Sequence, residues 1–281
     1  MNAIEVNGIT KQYPSFTLNN VTLALPAGCI MGLVGENGAG KTTLLRLIMG
    51  AAGADAGTAT VLGVDNRDPA FHDVKEDIGV VLDEAFFPDM LSPRDIGRIM
   101  AATYRRWDDA VYQTWLDSFS LPEKQCFREF SRGMKMKLAI AVALSHAPKL
   151  LILDEPTGGL DPVVRDEILT VFSDFAKEDD HAVLLSSHIV SDLEKICDYI
   201  ACIHHGRLLL CEEKDRLLED YAVVKLSRED FAALPQDAIH GSRETPYNVE
   251  ALVERGKLPA GIRTEHATLE DILLFLVKEG N

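Results

Sequence analysis

The chain has 281 residues, of which 47% are hydrophobic and 26% charged, values typical of a globular protein with a substantial core. Its formal net charge of −16 argues against broad binding to nucleic acid and free attachment to an anionic membrane, because both need an excess of Lys and Arg. No apolar run reaches the roughly eighteen residues that span a bilayer, and the N-terminal residues lack the features of a signal peptide. We therefore expect a cytoplasmic protein that does not bind nucleic acid.

Strands are predicted for residues 1–27, where apolar and polar residues alternate in part at first and cleanly over 21–25. Tyr13 is expected in a loop between two of these strands. A turn at residues 26–28 then leads into the apolar run 29–34, which suits a short buried strand.

The stretch after that strand fits the phosphate-binding pattern of Gly, four residues, Gly, Lys and then Ser or Thr. Its glycines let backbone N–H groups point into one concavity, and a helix beginning near Lys41 would direct its positive end at the same anion. Lys41 would contact the outer phosphates, and the Thr42 hydroxyl would be a ligand of Mg²⁺. The residues predicted to bind the nucleotide here are Gly35, Glu36, Asn37, Gly38, Ala39, Gly40, Lys41, Thr42 and Thr43.

A helical segment is predicted between two parts of the sheet. Residues 53–63 are expected to form a glycine-rich strand pair, and residues 78–82 a short buried strand. Ser92 can cap the helix that follows, and Asp95 completes a near capping box. Residues 94–128 are therefore predicted to be mostly helical.

A second unit follows, with a helix over 133–145 and a buried strand over 150–153 that ends in Asp154 and Glu155. In an open α/β sheet, ligands bind at the carboxyl ends of the strands. Asp154 would then hold Mg²⁺, and Glu155 would polarise the attacking water. An acid at the end of a buried strand is a modest signal alone, but it becomes a strong one beside a phosphate-binding loop.

The remaining elements are a helix over about 161–177, a strand over 182–185 and a hairpin that turns at His205-Gly206. From about Asp215 the pattern changes to short mixed segments. An amphipathic helix that begins near Thr268 ends the chain.

Five further elements stand in order with these motifs, at residues 130–134, 159–161 and 187–188, at Tyr13 and at Asp83. They resemble the signature loop, the D-loop, the switch histidine, the adenine-stacking aromatic and the Q-loop position of the ATP-binding subunit of an ABC transporter. The resemblance covers residues 2 to about 212. Its most diagnostic element is the signature loop, because other phosphate-loop enzymes lack it.

The resemblance implies an α/β fold, that of a P-loop NTPase of ABC type. Its mixed-sheet core would carry an antiparallel β subdomain and a helical subdomain of about residues 84–148, within a domain of residues 1–214. A small α+β accessory domain would follow at residues 215–281.

The same resemblance implies a motor subunit that hydrolyses ATP with Mg²⁺ and drives a separate transmembrane permease, most like drug, antibiotic-peptide or ABC-2 type exporters. Two such subunits, identical or different, would sandwich ATP, with the signature of one facing the phosphate loop of the other. The subunit would be peripheral, on the cytoplasmic side of the cell membrane, and attached through the permease only. Residues 86–99, which are apolar for a loop region, are expected to contact that permease.

Roles for individual residues follow from the matched motifs. Glu155 and His188 would be catalytic, and Tyr13 would stack on adenine. The predicted metal ligands are Thr42, Asp154 and Asp83. The residues that would act on the nucleotide of the partner subunit are Ser131, Arg132, Gly133, Met134 and Asp161.

Simpler roles remain open for several of these residues. Ser131 could be only the N-cap of the next helix, although with the Gly133 amide it forms an anion site of the same kind as the phosphate loop. His188 could be a surface residue where a helix begins. Phe16, rather than Tyr13, could stack on adenine.

Two positions depart from the family pattern. Arg132 stands where many relatives have a second glycine, and it would either add a charge near the phosphate or be solvated. Asp83 stands in place of the Q-loop glutamine; a carboxylate can still contact Mg²⁺ or the attacking water, and the neighbouring Glu84 could substitute for it. The alternative function is that of a single-domain ABC ATPase that acts in assembly or regulation without transport.

Overall fold

The computed structural model describes residues 1–83 and 87–279, which form three β-sheets with helices packed between and around them. Over these residues, no helix has the length and apolar character needed to cross a membrane. The strands are β1 (Asn2–Tyr13), β2 (Phe16–Pro26), β3 (Ile30–Val34), β4 (Ala56–Val61), β5 (Val64–Asp65), β6 (Ile78–Val81), β7 (Leu150–Asp154), β8 (Ala182–Ser187), β9 (Tyr199–His204), β10 (Arg207–Glu213), β11 (Tyr221–Leu226), β12 (Ile239–Glu244), β13 (Val249–Glu254) and β14 (Glu265–His266).

One group of helices lies between β6 and β7, as the sequence predicts. The helices are α1 (Lys41–Ile48), α2 (Phe71–Val74), α3 (Pro93–Thr103), α4 (Asp109–Ser118), α5 (Arg132–Leu144), α6 (Pro162–Phe175), α7 (Val190–Ile196), α8 (Lys214–Asp220), α9 (Arg228–Ala232) and α10 (Leu269–Glu279).

The central sheet has the strand order β10-β9-β3-β8-β7-β6, and its pairs are parallel from β9 to β6. Every residue of β3, β7 and β8 is buried, which explains why these strands read as continuous apolar runs rather than alternating ones. The second sheet is antiparallel, in the order β2-β1-β4-β5, and the third is antiparallel, in the order β12-β13-β11-β14. This is the mixed sheet with an antiparallel β part and a helical part that the sequence predicts.

Two local predictions need correction. Tyr13 is the last residue of β1 rather than a loop residue, because β1 and β2 are joined by a turn of only two residues and pair as far as Tyr13 and Phe16. The stretch 94–128, predicted to be mostly helical, is divided: α3 ends at Thr103, α4 ends at Ser118, and a 3₁₀ turn follows at Phe127–Glu129. After α4, Ser120 adopts a left-handed backbone with a φ of 53°, which a helix cannot accommodate.

The C-terminal residues pack on the rest of the chain through α10. This helix begins with a capping box, in which Thr268 and Asp271 each accept a hydrogen bond from the other's backbone N–H at 3.1 Å. Ile272 and Phe275 of α10 are buried in the same apolar cluster as Leu193 of α7. The boundary predicted at residue 215 therefore separates segments that share a core, and the division into two domains stays a prediction.

Candidate functional site

A cavity of about 660 Å³ opens at the carboxyl ends of β3, β6 and β7, where an α/β sheet is expected to bind its ligand. Its wall is formed by Ser15, Phe16, Glu36, Asn37, Gly38, Gly40, Lys41, Thr42, Thr43, Arg46, Leu82, Asp83, Asp154 and Glu155. Most of the predicted phosphate-binding loop and both acids that follow the β7 run are therefore brought to one place.

Two glycines of the loop are required by close packing. A Cβ atom on Gly35 would lie 2.3 Å from the carbonyl oxygen of Ile203 in β9. Gly40 has a φ of 116°, and a Cβ atom there would lie 2.8 Å from the ring of Phe16. The loop is thus pressed between β9 and the start of β2, and α1 begins immediately after it at Lys41.

The side chain of Lys41 is folded back into the loop, with only 6% of its surface exposed. Its Nζ donates hydrogen bonds to the carbonyl oxygens of Gly35 at 2.7 Å and Glu36 at 3.4 Å. The same Nζ lies 3.2 Å from Glu155 Oε1, an ion pair at close range whose angle is not that of a hydrogen bond. The lysine charge is therefore balanced inside the cavity wall.

Asp154 joins the loop to the sheet. The Thr42 hydroxyl donates to Asp154 Oδ2 at 2.7 Å, and the Ser186 hydroxyl donates to Oδ1 at 2.6 Å. Hydroxyl and carboxylate oxygens are the protein ligands that Mg²⁺ prefers, directly or through water. The donor set of Thr42 and Asp154 therefore fits the magnesium site predicted for these two residues.

Glu155 has a strained backbone that its neighbours hold in place. Its φ is 52°, in the left-handed region, although it precedes Pro156, a position that disfavours helical backbone. The Glu155 N–H donates to the Ser186 carbonyl and hydroxyl, each at 3.1 Å. Glu155 Oε2 lies 3.2 Å from the N–H of His188 and 2.6 Å from its Nδ1, so the predicted catalytic pair is in direct contact.

Sequence reasoning missed a buried network just behind this pair. Asp192 of α7 is 2% exposed; its Oδ2 accepts a hydrogen bond from the Thr157 hydroxyl at 2.7 Å, and it forms an ion pair with Arg165 of α6. For Ser186, which donates a hydrogen bond to Asp154, the sequence did carry a signal, because two serines end the otherwise apolar strand β8. Asp192 had none, because its partners lie 27 and 35 residues away in the chain.

Phe16, the alternative to Tyr13, lies in the cavity wall. Tyr13 is 42% exposed and does not line the cavity, and Lys11 Nζ lies 5.8 Å from the centre of its ring. The geometry thus favours Phe16 as the residue against which a base would stack, and the role predicted for Tyr13 stays untested.

The predicted signature and D-loop residues lie outside this cavity. Ser131 caps α5 by accepting a hydrogen bond from Met134 N at 3.2 Å, and Asp161 caps α6 through Val163 N and Val164 N. A Cβ atom on Gly133 would lie 3.3 Å from Val164, so α5 and α6 begin side by side. Their simpler roles as N-caps are therefore present, and neither loop reaches the cavity of its own chain.

Asp83 lines the cavity, but its carboxylate is already paired. Asp83 Oδ1 accepts a hydrogen bond from Arg132 Nη2 at 3.0 Å, and both side chains are about half exposed. The two departures from the family pattern are therefore in contact with each other. Glu84, the suggested substitute, lies outside the described residues.

Known proteins similar in sequence to this chain are named as transport ATP-binding proteins, which agrees with the site described above. The chain matches the ABC transporter family over residues 18–158. It is 34% identical over 209 residues to the bacitracin transport ATP-binding protein BcrA of Enterococcus faecalis, covering 73% of this chain and 68% of that protein. It is 33% identical over 215 residues to the lantibiotic transport ATP-binding protein SrtF of Streptococcus pyogenes, covering 75% and 91%.

Solved structures share the fold. An ATP-binding subunit of an ABC transporter superposes with a TM-score of 0.68 at 26% identity, covering 77% of this chain and 92% of that one. A dimeric post-hydrolysis state of an ATP-binding cassette, bound to ADP and Pi, superposes with a TM-score of 0.67 at 21% identity, covering 75% and 98%. The predicted fold class is confirmed.

Removing Asp192 should destabilise the chain more than removing its whole ion pair. Asp192→Ala leaves the partly buried Arg165 charge without its carboxylate, and we expect a loss of about 3 kcal/mol in the free energy of unfolding. The double variant Asp192→Leu with Arg165→Met leaves no unpaired charge and should lose less. Urea unfolding of both variants measures this, and a double variant less stable than the single one would contradict the network.

Proposed function

The chain belongs to the ABC transporter family, in which it is an ATP-binding and ATP-hydrolysing motor subunit, and we propose that the separate membrane subunit it powers is an exporter. The observation that carries the activity is the convergence of a lysine, a hydroxyl and two carboxylates on one cavity. These groups belong to Lys41, Thr42, Asp154 and Glu155.

In this proposal Glu155 is the general base that orients and polarises the attacking water. His188 holds Glu155 Oε2 through two hydrogen bonds, which fixes the direction of the carboxylate. Lys41 would exchange its bonds to the loop carbonyls for bonds to the outer phosphates of ATP. Mg²⁺, when bound, supplies charge neutralisation at the phosphates, and Thr42 and Asp154 are the residues that would hold it.

The direction of transport and the cargo are inferred from relatives. Two of them are named for the transport of bacitracin and of a lantibiotic. We infer by analogy that the partner permease moves a peptide antibiotic outward across the membrane. A soluble ABC ATPase without transport is less well supported, because the relatives that match over most of their length are named as transport proteins.

The segment proposed to contact the permease, residues 86–99, includes the beginning of α3. Its exposed apolar side chains include Met90 and Ile99, which are 65% and 47% exposed. Exposed apolar side chains close together in one segment are what a docking surface would present to a partner. Phe86, which the sequence places in the same segment, lies outside the described residues.

Pairing of two ATP-binding subunits is supported by the position of the signature loop. Ser131 and Gly133 stand at the start of a thirteen-residue helix, where an anion would be stabilised, yet they do not line the cavity of their own chain. We infer that they complete the site of a second subunit.

The change Glu155→Gln should nearly abolish ATP hydrolysis while leaving ATP binding largely intact. The amide keeps the shape of the side chain but cannot accept a proton, so turnover should fall by about 10²- to 10⁴-fold. Steady-state phosphate release and equilibrium binding of a fluorescent ATP analogue measure the two effects. Turnover within a few-fold of the unaltered chain would remove Glu155 from this role.

A tagged chain recovered from native membranes should bring a membrane-spanning protein with it in a fixed ratio. The expectation follows from the exposed apolar side chains in the segment 86–99. Replacing Met90 and Ile99 together by glutamine should weaken recovery of that protein without changing ATP turnover of the isolated chain. Recovery of the chain without any membrane protein, under conditions that preserve a known transporter of this family, would favour the soluble alternative.

A shared nucleotide site predicts complementation between two defective copies, provided the chain pairs with itself. Lys41→Ala in one copy and Ser131→Arg in the other would place both defects in one composite site and leave the second site intact. ATPase activity of such a forced mixed pair should return in part, although each variant alone is inactive.

The control for this experiment is a forced pair of one unaltered copy with one copy carrying both substitutions. It leaves each composite site with a single defect, so a shared-site architecture predicts no activity for it. Activity in this control together with an inactive mixed pair would show that each site is built within a single chain.

A further inference from the structure

Arg132 joins three segments that are distant in the sequence. Its Nη2 donates to Asp83 Oδ1 at 3.0 Å, just beyond the end of β6. Its guanidinium also lies across the turn after Glu155, because a Cβ atom built on Gly159 would meet Arg132 Nη1 at 2.8 Å and one on Gly158 would meet Nη2 at 3.6 Å. Arg132 itself is the first residue of α5, so the helical group, the cavity rim and this turn meet at one side chain.

The turn that Arg132 covers is directly connected to Glu155. Gly158 N donates to the Glu155 carbonyl oxygen at 3.1 Å, which closes the turn on itself. Glu155 is held in a left-handed backbone conformation, so it depends on its surroundings to keep that geometry. A side chain that restrains the turn from outside therefore restrains the backbone on which the carboxylate is mounted.

Charge balance gives a second reason for the contact. Among the described residues, the cavity wall carries the carboxylates of Asp83, Asp154 and Glu155, besides the exposed Glu36. Asp154 accepts hydrogen bonds from two hydroxyls, and Glu155 contacts His188 and forms an ion pair with Lys41. Asp83, at the rim of the cavity, has its counter-charge in Arg132, so each of these three carboxylates has a partner within the chain.

We propose that Asp83 and Arg132 act as one positioning pair within the chain, which fixes the Gly158-Gly159 turn, and through it Glu155, at the rim of the cavity. This joint role replaces the two separate roles that the sequence suggests, in which Asp83 is a magnesium ligand and Arg132 contacts a phosphate. The inference rests on the proposed ATPase function of the cavity. Neither residue touches the nucleotide in this role.

The test is a charge swap that keeps the pair but reverses it. The variants are Asp83→Asn, Arg132→Gln and the double variant Asp83→Arg with Arg132→Asp. Asp174→Asn is the matched control, since Asp174 forms an exposed ion pair with Lys177 at the far end of α6. For each variant, kcat, the KM for ATP, the Mg²⁺ concentration at half-maximal rate and the unfolding temperature without nucleotide are measured.

Each single variant should lower kcat by about 1.5- to 5-fold, the size expected for a half-exposed ion pair. The KM for ATP and the Mg²⁺ requirement should stay unchanged. The swapped pair should recover most of kcat and most of any fall in unfolding temperature, because interacting residues are not additive. The control should match the unaltered chain in every measurement.

Three results would overturn the proposal. A large rise in the Mg²⁺ requirement of Asp83→Asn would make Asp83 a metal ligand, and a rise in the KM for ATP of Arg132→Gln would make Arg132 a nucleotide contact. A swapped double variant that recovers neither kcat nor the unfolding temperature would show that the two residues do not act as a pair. An unaltered chain that does not hydrolyse ATP would instead defeat the proposed function, and the unfolding temperatures would still test the pair.

Discussion

Asp154 places a carboxylate at the carboxyl end of the buried strand β7, where it is only 4% exposed. A buried carboxylate is tolerated when its oxygens are hydrogen-bonded, and here the hydroxyls of Thr42 and Ser186 each occupy one oxygen. Three segments are fixed by this arrangement, because Thr42 belongs to α1, Ser186 to β8 and Asp154 to β7. The phosphate-binding loop and the acids of the cavity therefore cannot move independently of the sheet.

The parts of the site that could be predicted are those whose signals are local. The loop of residues 35–43 and the strand ending in Asp154 each carry their pattern within ten residues, and in the structure both lie where those patterns place them. Contacts between distant residues carry no such signal: Asp192 pairs with Thr157 across 35 residues, and Asp83 with Arg132 across 49. The preference for Phe16 over Tyr13 depends on a two-residue turn and on packing against Gly40, which no alternation pattern specifies.

The segment that follows His188 is packed against two other parts of the chain. After His188 the chain enters α7, which is tied to α6 by the buried ion pair of Asp192 and Arg165. On another side, Leu193 of α7 shares an apolar cluster with Ile272 and Phe275 of α10. The helix that follows His188 is thus packed both by the element that follows Glu155 and by the C-terminal part of the chain.

The strand order has a consequence for biosynthesis. β3, which leads into the phosphate-binding loop, lies between β8 and β9, and both are synthesised long after it. Roughly 150 residues separate β3 from β8, which at about 5–20 residues per second leaves β3 without either neighbour for about 7–30 s. Throughout that interval its two edges keep unpaired N–H and C=O groups, the feature that makes a strand prone to wrong pairing. The stretch most easily recognised in the sequence therefore follows a strand whose neighbours are made only after most of the chain has been synthesised.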